Sequence, residues 1–135
     1  RIGARADPRG PWLLEIVAGL IEDGETPAAV ACREAMEEAG CTVTDLLPIS
    51  SFYTSPAKTS QRTHLYLGRV DSRNAGGIHG LAHEGEDIRV VCLAAEKAVV
   101  LAEQGHTDSA WPLVALWWFA RHHQEVRKRW LAGSR

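Results

Sequence analysis

No stretch of this 135-residue chain approaches the roughly 18 to 20 consecutive apolar residues that a membrane-spanning helix needs. That removes the membrane as a partner, and no signal-peptide pattern opens the chain. Charge of one sign is also lacking. Fifteen basic against 17 acidic side chains leave a formal net charge of −2, too little positive charge to follow a duplex backbone, so no nucleic-acid partner is expected. Cysteine is scarce. Cys32, Cys41 and Cys92 are far apart, neither even in number nor at metal-ligand spacing. A disulfide framework is thereby excluded and a reducing, cytoplasmic setting expected, with each thiol acting as a small apolar filler. Internal repeats and low-complexity tracts are absent too. What remains is an ordinary globular composition, 45% hydrophobic and 24% charged, in a length that suits one core. The chain begins at Arg1 rather than Met, so a longer native protein with upstream sequence is expected.

The charge is plentiful in one place. Residues 19–41, GLIEDGETPAAVACREAMEEAGC, hold six carboxylates and three glycines. Thr26 is a fitting N-cap and Pro27 a fitting first helical residue, and Gly40 is a natural stop. The interval between them predicts one helix. Ala28, Ala31, Cys32, Ala35 and Ala39 would give it a small face for packing on a sheet, and Glu34, Glu37 and Glu38 would share the other side. Arg33 stands one turn before Glu37 and can pair with it. Like charges three and four residues apart repel by a few tenths of a kcal/mol per pair. A chain that keeps them either spreads them into solvent or holds a cation between them.

Elsewhere, WLLEIV (12–17) predicts a buried strand after a loop over residues 2–11. CTVTDLLPISSFY (41–53), HLYLGRV (64–70) and IRVVCL (88–93) also have strand character. Residues 71–87 read as a long Gly-rich loop, which in a compact domain is usually functional or disordered. Two helices follow, AAEKAVVLAEQG and a terminal one from about Ser109. The histidines His64, His79, His83 and His106 suit surface or loop positions. The adjacent His122 and His123 cannot face one way on a helix and are expected in solvent. Trp111, Trp117, Trp118 and Trp130 are expected to pack.

Gly19, Glu25, Arg33, Glu34, Glu37, Glu38 and Gly40 fall in register with the Nudix box, G-x5-E-x7-R-E-U-x-E-E-x-G-U, with the small apolar Ala35 and Cys41 at the two U positions. On these residues the chain resembles the Nudix hydrolases. The resemblance implies an α/β/α sandwich with a mixed β-sheet, here a single domain over 1–135 whose N-terminal strands would lie upstream. It also implies Mg²⁺ (or Mn²⁺), more than one ion, held by hard oxygen ligands. Those ligands would be Glu34 and Glu38, with Glu37 close by and held by Arg33, and the backbone carbonyl of Ala18. The like-charge cost of the glutamates would then become part of the metal affinity.

Outside the box, WLLEIVAGLIEDGE, Pro56 fifteen residues beyond Cys41, GGIHGLAHEGEDIRV and ALWWFARHHQ are similar to the enterobacterial-type ADP-ribose pyrophosphatases. By position that likeness makes Glu84 the general base and Glu86 a further metal ligand. Arg1 would reach the diphosphate, Leu20 and Ser55–Pro56–Ala57 would line the substrate, and Gln61 would meet the terminal ribose. The usual Gly-Gly after the proline and the Glu at the ribose position are here Ala57, Lys58 and Gln61. The implied reaction splits ADP-ribose into AMP and ribose 5-phosphate, in a homodimer of the full-length protein. Another nucleoside diphosphate sugar, or NADH, is the alternative substrate. A ligand-binding module without turnover is the alternative of another class, although such modules usually lose box glutamates and none is lost here.

Overall fold

A computed structural model describes residues 12–80 and 87–132. Helix α1 (Pro27–Ala39) has the bounds its capping residues dictate. The Thr26 hydroxyl accepts the Ala29 N–H at 3.2 Å, satisfying a donor that the first helical turn leaves unpaired. At the other end Gly40 turns left-handed, φ 62°. Its N–H then reaches the Met36 carbonyl, and the Cys41 N–H reaches that of Ala35, both at 2.9 Å.

The chain then enters β1 (Val43–Tyr53) and returns as β2 (Arg62–Val70) in an antiparallel hairpin, registered from Val43 opposite Val70 to Tyr53 opposite Arg62. The register slips between Val43 and Asp45 and between Pro48 and Ser50. The second slip is where a mid-strand proline belongs, since it has no N–H for the ladder. A second, shorter antiparallel pair follows, β3 (Gly77–His79) with β4 (Ile88–Val90). Helices α2 (Ala95–Glu103) and α3 (Ala110–Ala132) complete the order.

Helix α1 lies against all four strands, and α3 lies against β2 and α2. Val30, Ala35, Cys41, Leu65, Ala102, Val126 and the fully enclosed Pro112 form the core between them. The far end of α3 is tied to the long hairpin by polar contacts. Arg129 and the Trp130 indole N–H donate to the Asp45 carboxylate at 2.9–3.0 Å. The Arg69 guanidinium donates to the Trp130 carbonyl at 3.1 Å. The result is an α/β fold of helices on antiparallel strands, consistent with the Nudix sandwich.

Several expectations change. Residues 12–17 form no strand, because a strand needs a partner ladder and no described strand pairs with them; Trp12, Leu13 and Val17 stay exposed. The Gly-rich 71–87 segment contains β3, and 88–93 is a strand only as far as Val90. Among the described residues both strand pairs are antiparallel, so no parallel part of a mixed sheet is seen. On α1 it is Val30, not Cys32, that is buried with Ala35; Cys32 and Cys92 are exposed and only Cys41 is a filler. Trp117 is exposed. His122, half-buried, stacks on Trp118 with ring centroids 4.4 Å apart, while His123 is exposed as expected.

Candidate active site

Three consecutive residues lie across one side of α1. The Ala18 N–H donates to Glu38 Oε2 at 3.0 Å. Gly19 lies so close to Glu34 that a Cβ on it would stand 1.7 Å from Glu34 Oε1; only glycine fits that place without displacing the carboxylate. The Leu20 carbonyl accepts from Arg33 Nη2 at 3.3 Å. The chain then turns at Glu22–Glu25, closed by the Glu25 N–H on the Glu22 carbonyl at 3.0 Å, with Gly24 at φ 89°. That turn delivers Glu25 back onto the helix.

Arg33 knits the carboxylates together. Its Nε and Nη2 grip the two oxygens of Glu25 at 3.1 and 3.2 Å, the fork geometry that a guanidinium makes and an ammonium cannot. Its Nη1 reaches Glu34 Oε1 at 2.8 Å and Glu37 Oε2 at 2.9 Å. Hydrogen bonds from Arg33 hold the Glu25 carboxyl below its ordinary range. The same bond to Glu25, then that to Glu37, holds the guanidinium proton more tightly than usual. Glu34 is the most shielded of the three carboxylates, with its side chain 13% exposed against 26% for Glu25 and 35% for Glu37.

The structure therefore brings Ala18, Leu20, Arg33, Glu34, Glu37 and Glu38 together. The Arg33–Glu37 pair is present as expected. Glu25, given no role beyond its place in the motif, is the strongest partner of Arg33; a carboxylate eight residues before the arginine was the available signal. Leu20 is 80% exposed. Ser55, Pro56, Ala57 and Gln61 form a separate group, the turn joining β1 to β2. There Ser55 accepts the Lys58 and Thr59 N–H groups at 2.9 Å, and the Thr54 hydroxyl donates to Gln61 Oε1 at 3.2 Å. Arg1, Glu84 and Glu86 lie outside the described residues.

The donor set suits a hard divalent cation. Glu34 and Glu38, one turn apart, offer carboxylate oxygens, and the backbone of 18–20 crosses directly over them in a cradle that a Cβ at Gly19 would fill. Among the described residues no three His, Cys, Asp or Glu side chains converge as a ready-made ion site, so a complete shell needs backbone oxygen or further residues.

A NUDIX domain model matches residues 2–117. The chain belongs to the Nudix family. Members of this family generally use divalent metals such as Mg²⁺. Over 130 residues this Nudix chain is 48% identical to the ADP-ribose pyrophosphatase of Escherichia coli (strain K12), covering 96% of this chain and 62% of that protein. It is 42% identical over 133 residues to the ADP-ribose pyrophosphatase of Haemophilus influenzae, covering 96% and 61%. It is 31% identical over 93 residues to the GDP-mannose pyrophosphatase of Cronobacter sakazakii, covering 69% and 48%. The chain thus spans less than two thirds of the length of these relatives.

Proposed function

We propose that this Nudix domain hydrolyses the diphosphate of ADP-ribose, giving AMP and ribose 5-phosphate. The observation that carries the reading is the carboxylate cluster bound by Arg33 and crossed by the backbone of 18–20. It is an anionic site with hard oxygen donors and one fixed cation, built on a rigid helix. Its similarity to ADP-ribose pyrophosphatases over nearly the whole chain supports the substrate.

Glu34 and Glu38, with Glu86 and the Ala18 carbonyl, would hold Mg²⁺. When bound, Mg²⁺ neutralises phosphoryl oxygens and makes phosphorus a better electrophile. Four carboxylates, Glu25, Glu34, Glu37 and Glu38, less the one guanidinium of Arg33, leave the cluster at about −3, and a diphosphate adds about −2 near neutral pH. One divalent ion would leave the complex strongly anionic, which supports more than one. Arg33 fixes Glu34 and Glu37 in place, Leu20 borders the substrate, Arg1 supplies a further cation for the diphosphate, and Glu84 takes the proton from the attacking water. Ser55–Ala57 and Gln61 would meet the ribose end. The cytoplasm is the setting that the free cysteines favour, and a homodimer of the longer protein is implied by the likeness alone.

A second reading is hydrolysis of a different nucleoside diphosphate sugar. The Ala57–Lys58–Gln61 turn and the 31% identity to a GDP-mannose pyrophosphatase favour it. A Mg²⁺-dependent panel on the full-length protein separates the two, with ADP-ribose, GDP-mannose, ADP-glucose and NADH compared by product. AMP and ribose 5-phosphate should be released fastest from ADP-ribose. Glu84→Gln should lower turnover by ~10²–10⁴-fold, the usual contribution of a positioned base, and Glu38→Gln should weaken metal affinity. No hydrolysis on any substrate, or full activity of Glu84→Gln, would overturn the reading.

A further inference from the structure

The turn that joins β1 to β2 settles, through its hydrogen bonds, how Gln61 is presented. The residue is tied at three atoms. Its carbonyl accepts the Thr54 N–H at 3.3 Å, its N–H donates to Thr59 Oγ1 at 3.1 Å, and its side-chain Oε1 accepts the Thr54 hydroxyl at 3.2 Å. The amide oxygen is thereby occupied, and among the described residues nothing accepts from Nε2. Gln61 is exposed, so what it offers a ligand is an amide NH₂, which only donates. A carboxylate at this position would do the reverse and only accept. The charge around the turn has the same sense. From residue 46 to residue 70 the chain has Lys58, Arg62 and Arg69 but no Asp or Glu, in a protein of formal net charge −2. Arg69 donates to the Trp130 carbonyl at the far end of the hairpin. Lys58, in the turn, and Arg62, next to Gln61, are both exposed. Arg62 is oriented by Ser51 Oγ, which accepts from its Nε at 2.8 Å, and by the Tyr53 ring, 5.3 Å from the guanidinium; neither cancels its charge.

We propose that this turn is a specificity element, in which Gln61 favours nucleoside diphosphate sugars whose distal sugar carries an anionic group, a carboxylate or a phosphate. This rests on the hydrolase reading above, in which Gln61 meets the sugar end of the substrate, and extends its substrate class. A sugar hydroxyl can accept from Nε2, so ADP-ribose fits. An anionic oxygen is the better acceptor, since hydrogen bonds to a charged partner are roughly twice as strong as neutral ones, and the field of Lys58 and Arg62 attracts it. The reaction is the same hydrolysis. Water adds its oxygen to one phosphorus, the bridging oxygen leaves with the other, and a proton is released. UDP-glucuronate would give UMP and glucuronate 1-phosphate.

The test measures kcat/KM in the full-length protein for two matched pairs. One is UDP-glucuronate against UDP-glucose; the other is ADP-ribose phosphorylated on its terminal ribose against ADP-ribose. Within each pair only the charged group differs. The anionic member should be favoured by about tenfold, the lower end of what a hydrogen bond to a charged group contributes. A preference in the first pair alone identifies a carboxylate, and in the second alone a phosphate. No preference for the anion in either pair overturns the proposal. Gln61→Glu should invert the ratio, and Thr54→Val, which frees the amide to rotate, should bring it toward unity. Each ratio compares two substrates in one preparation, so a variant that merely lost folded protein would leave it intact. A ratio that Gln61→Glu did not move would overturn the role of Gln61. If ADP-ribose were hydrolysed without any preference for the anionic members, the hydrolase reading would stand and this inference would fall. If the wild type hydrolysed nothing, the function proposed above would fall, and calorimetric dissociation constants for the same four compounds with Mg²⁺ would decide the preference. Tighter binding of an anionic member, by about tenfold and reversed by Gln61→Glu, would uphold it; equal or absent binding would overturn it.

Discussion

Gly19→Ala isolates the contact on which the site depends. A Cβ at this position would lie 1.7 Å from Glu34 Oε1, 2.1 Å from Cδ and 2.4 Å from Cγ. Non-bonded heavy atoms settle near 3.5–4.0 Å, so the carboxylate must retreat by ~1.8 Å or more. Gly19 is not among the glycines with positive φ, so alanine brings no backbone strain. The collision is with a side chain that can rotate away. Holding Glu34 off its preferred rotamer costs about 0.5–1.5 kcal/mol, a fall in thermal midpoint of roughly 2–6 °C for a domain of this size. Turnover should suffer far more. A displacement beyond ~1 Å costs about 10²-fold, and retreat also takes Glu34 from the Arg33 Nη1 that it meets at 2.8 Å. The assay is ADP-ribose turnover against Mg²⁺ concentration, beside a thermal melt of the same preparation. Turnover should fall at least ~10²-fold and saturate at higher Mg²⁺ while the fold survives. An alanine variant with wild-type turnover and Mg²⁺ dependence would refute the placement of Glu34. Global unfolding would refute the claim that the clash is absorbed by a side chain.

Three further outcomes follow from the charge contacts. Arg33→Lys keeps the charge but loses the fork that holds Glu25, Glu34 and Glu37 together; steady-state kinetics should show turnover down by about ten- to a hundredfold. The Arg129 guanidinium, and then the Trp130 N–H, holds the Asp45 carboxyl below its ordinary 3.8. Its contribution to stability is thus full above pH 3.8 and lost as pH falls through the lower folded value. Thermal midpoints between pH 2 and 6 should therefore drop more steeply for wild type than for Asp45→Asn. Burial raises the Glu15 carboxyl above 4.5, partly offset by the Ser109 hydroxyl. Its ionisation therefore opposes folding, by nothing below pH 4.5 and in full above the folded value. Glu15→Gln should raise the midpoint at pH 7 and leave it unchanged near pH 3; an equal shift at both would refute the assignment.

The parts of this chain legible in the sequence are those set by contacts within a few residues. The Thr26 cap, Pro27 and Gly40 bound α1 because a helix satisfies its own backbone, and β1 and β2 are long enough to show their β-branched and aromatic bias. Strand assignments that depend on a distant partner fared worse. WLLEIV has the composition of a strand and no described partner. By contrast, Gly77–His79, three residues inside a Gly-rich segment, pairs with Ile88–Val90. Within the site, the motif singled out the carboxylates that Arg33 and the backbone of 18–20 gather, and Arg33–Glu37 follows from helical spacing. Gly19 on Glu34, Ala18 on Glu38 and His79 on Gly40 join residues fifteen or more positions apart, and no local periodicity announces them.

Those long-range contacts also bear on the metal affinity proposed for the site. Glutamates crowded on one helix would ordinarily repel, and relief of that repulsion by a cation would contribute to binding. Here the protein has already met part of the cost. Arg33 bridges Glu25, Glu34 and Glu37, and the Ala18 N–H serves Glu38. The fixed spacings of the motif accomplish this. Ala18, Gly19 and Leu20 meet Glu38, Glu34 and Arg33 in turn, so the segment runs antiparallel to the helix it crosses. The interval from Gly19 to Glu25 is the length needed to turn and bring Glu25 back to Arg33. What a cation would gain is thus relief of the remaining repulsion together with a set of carboxylates already held in place, for which the ordering entropy of long side chains has been met in folding. On that view Arg33 and Gly19 would contribute to metal binding alongside the glutamates proposed to touch the ion.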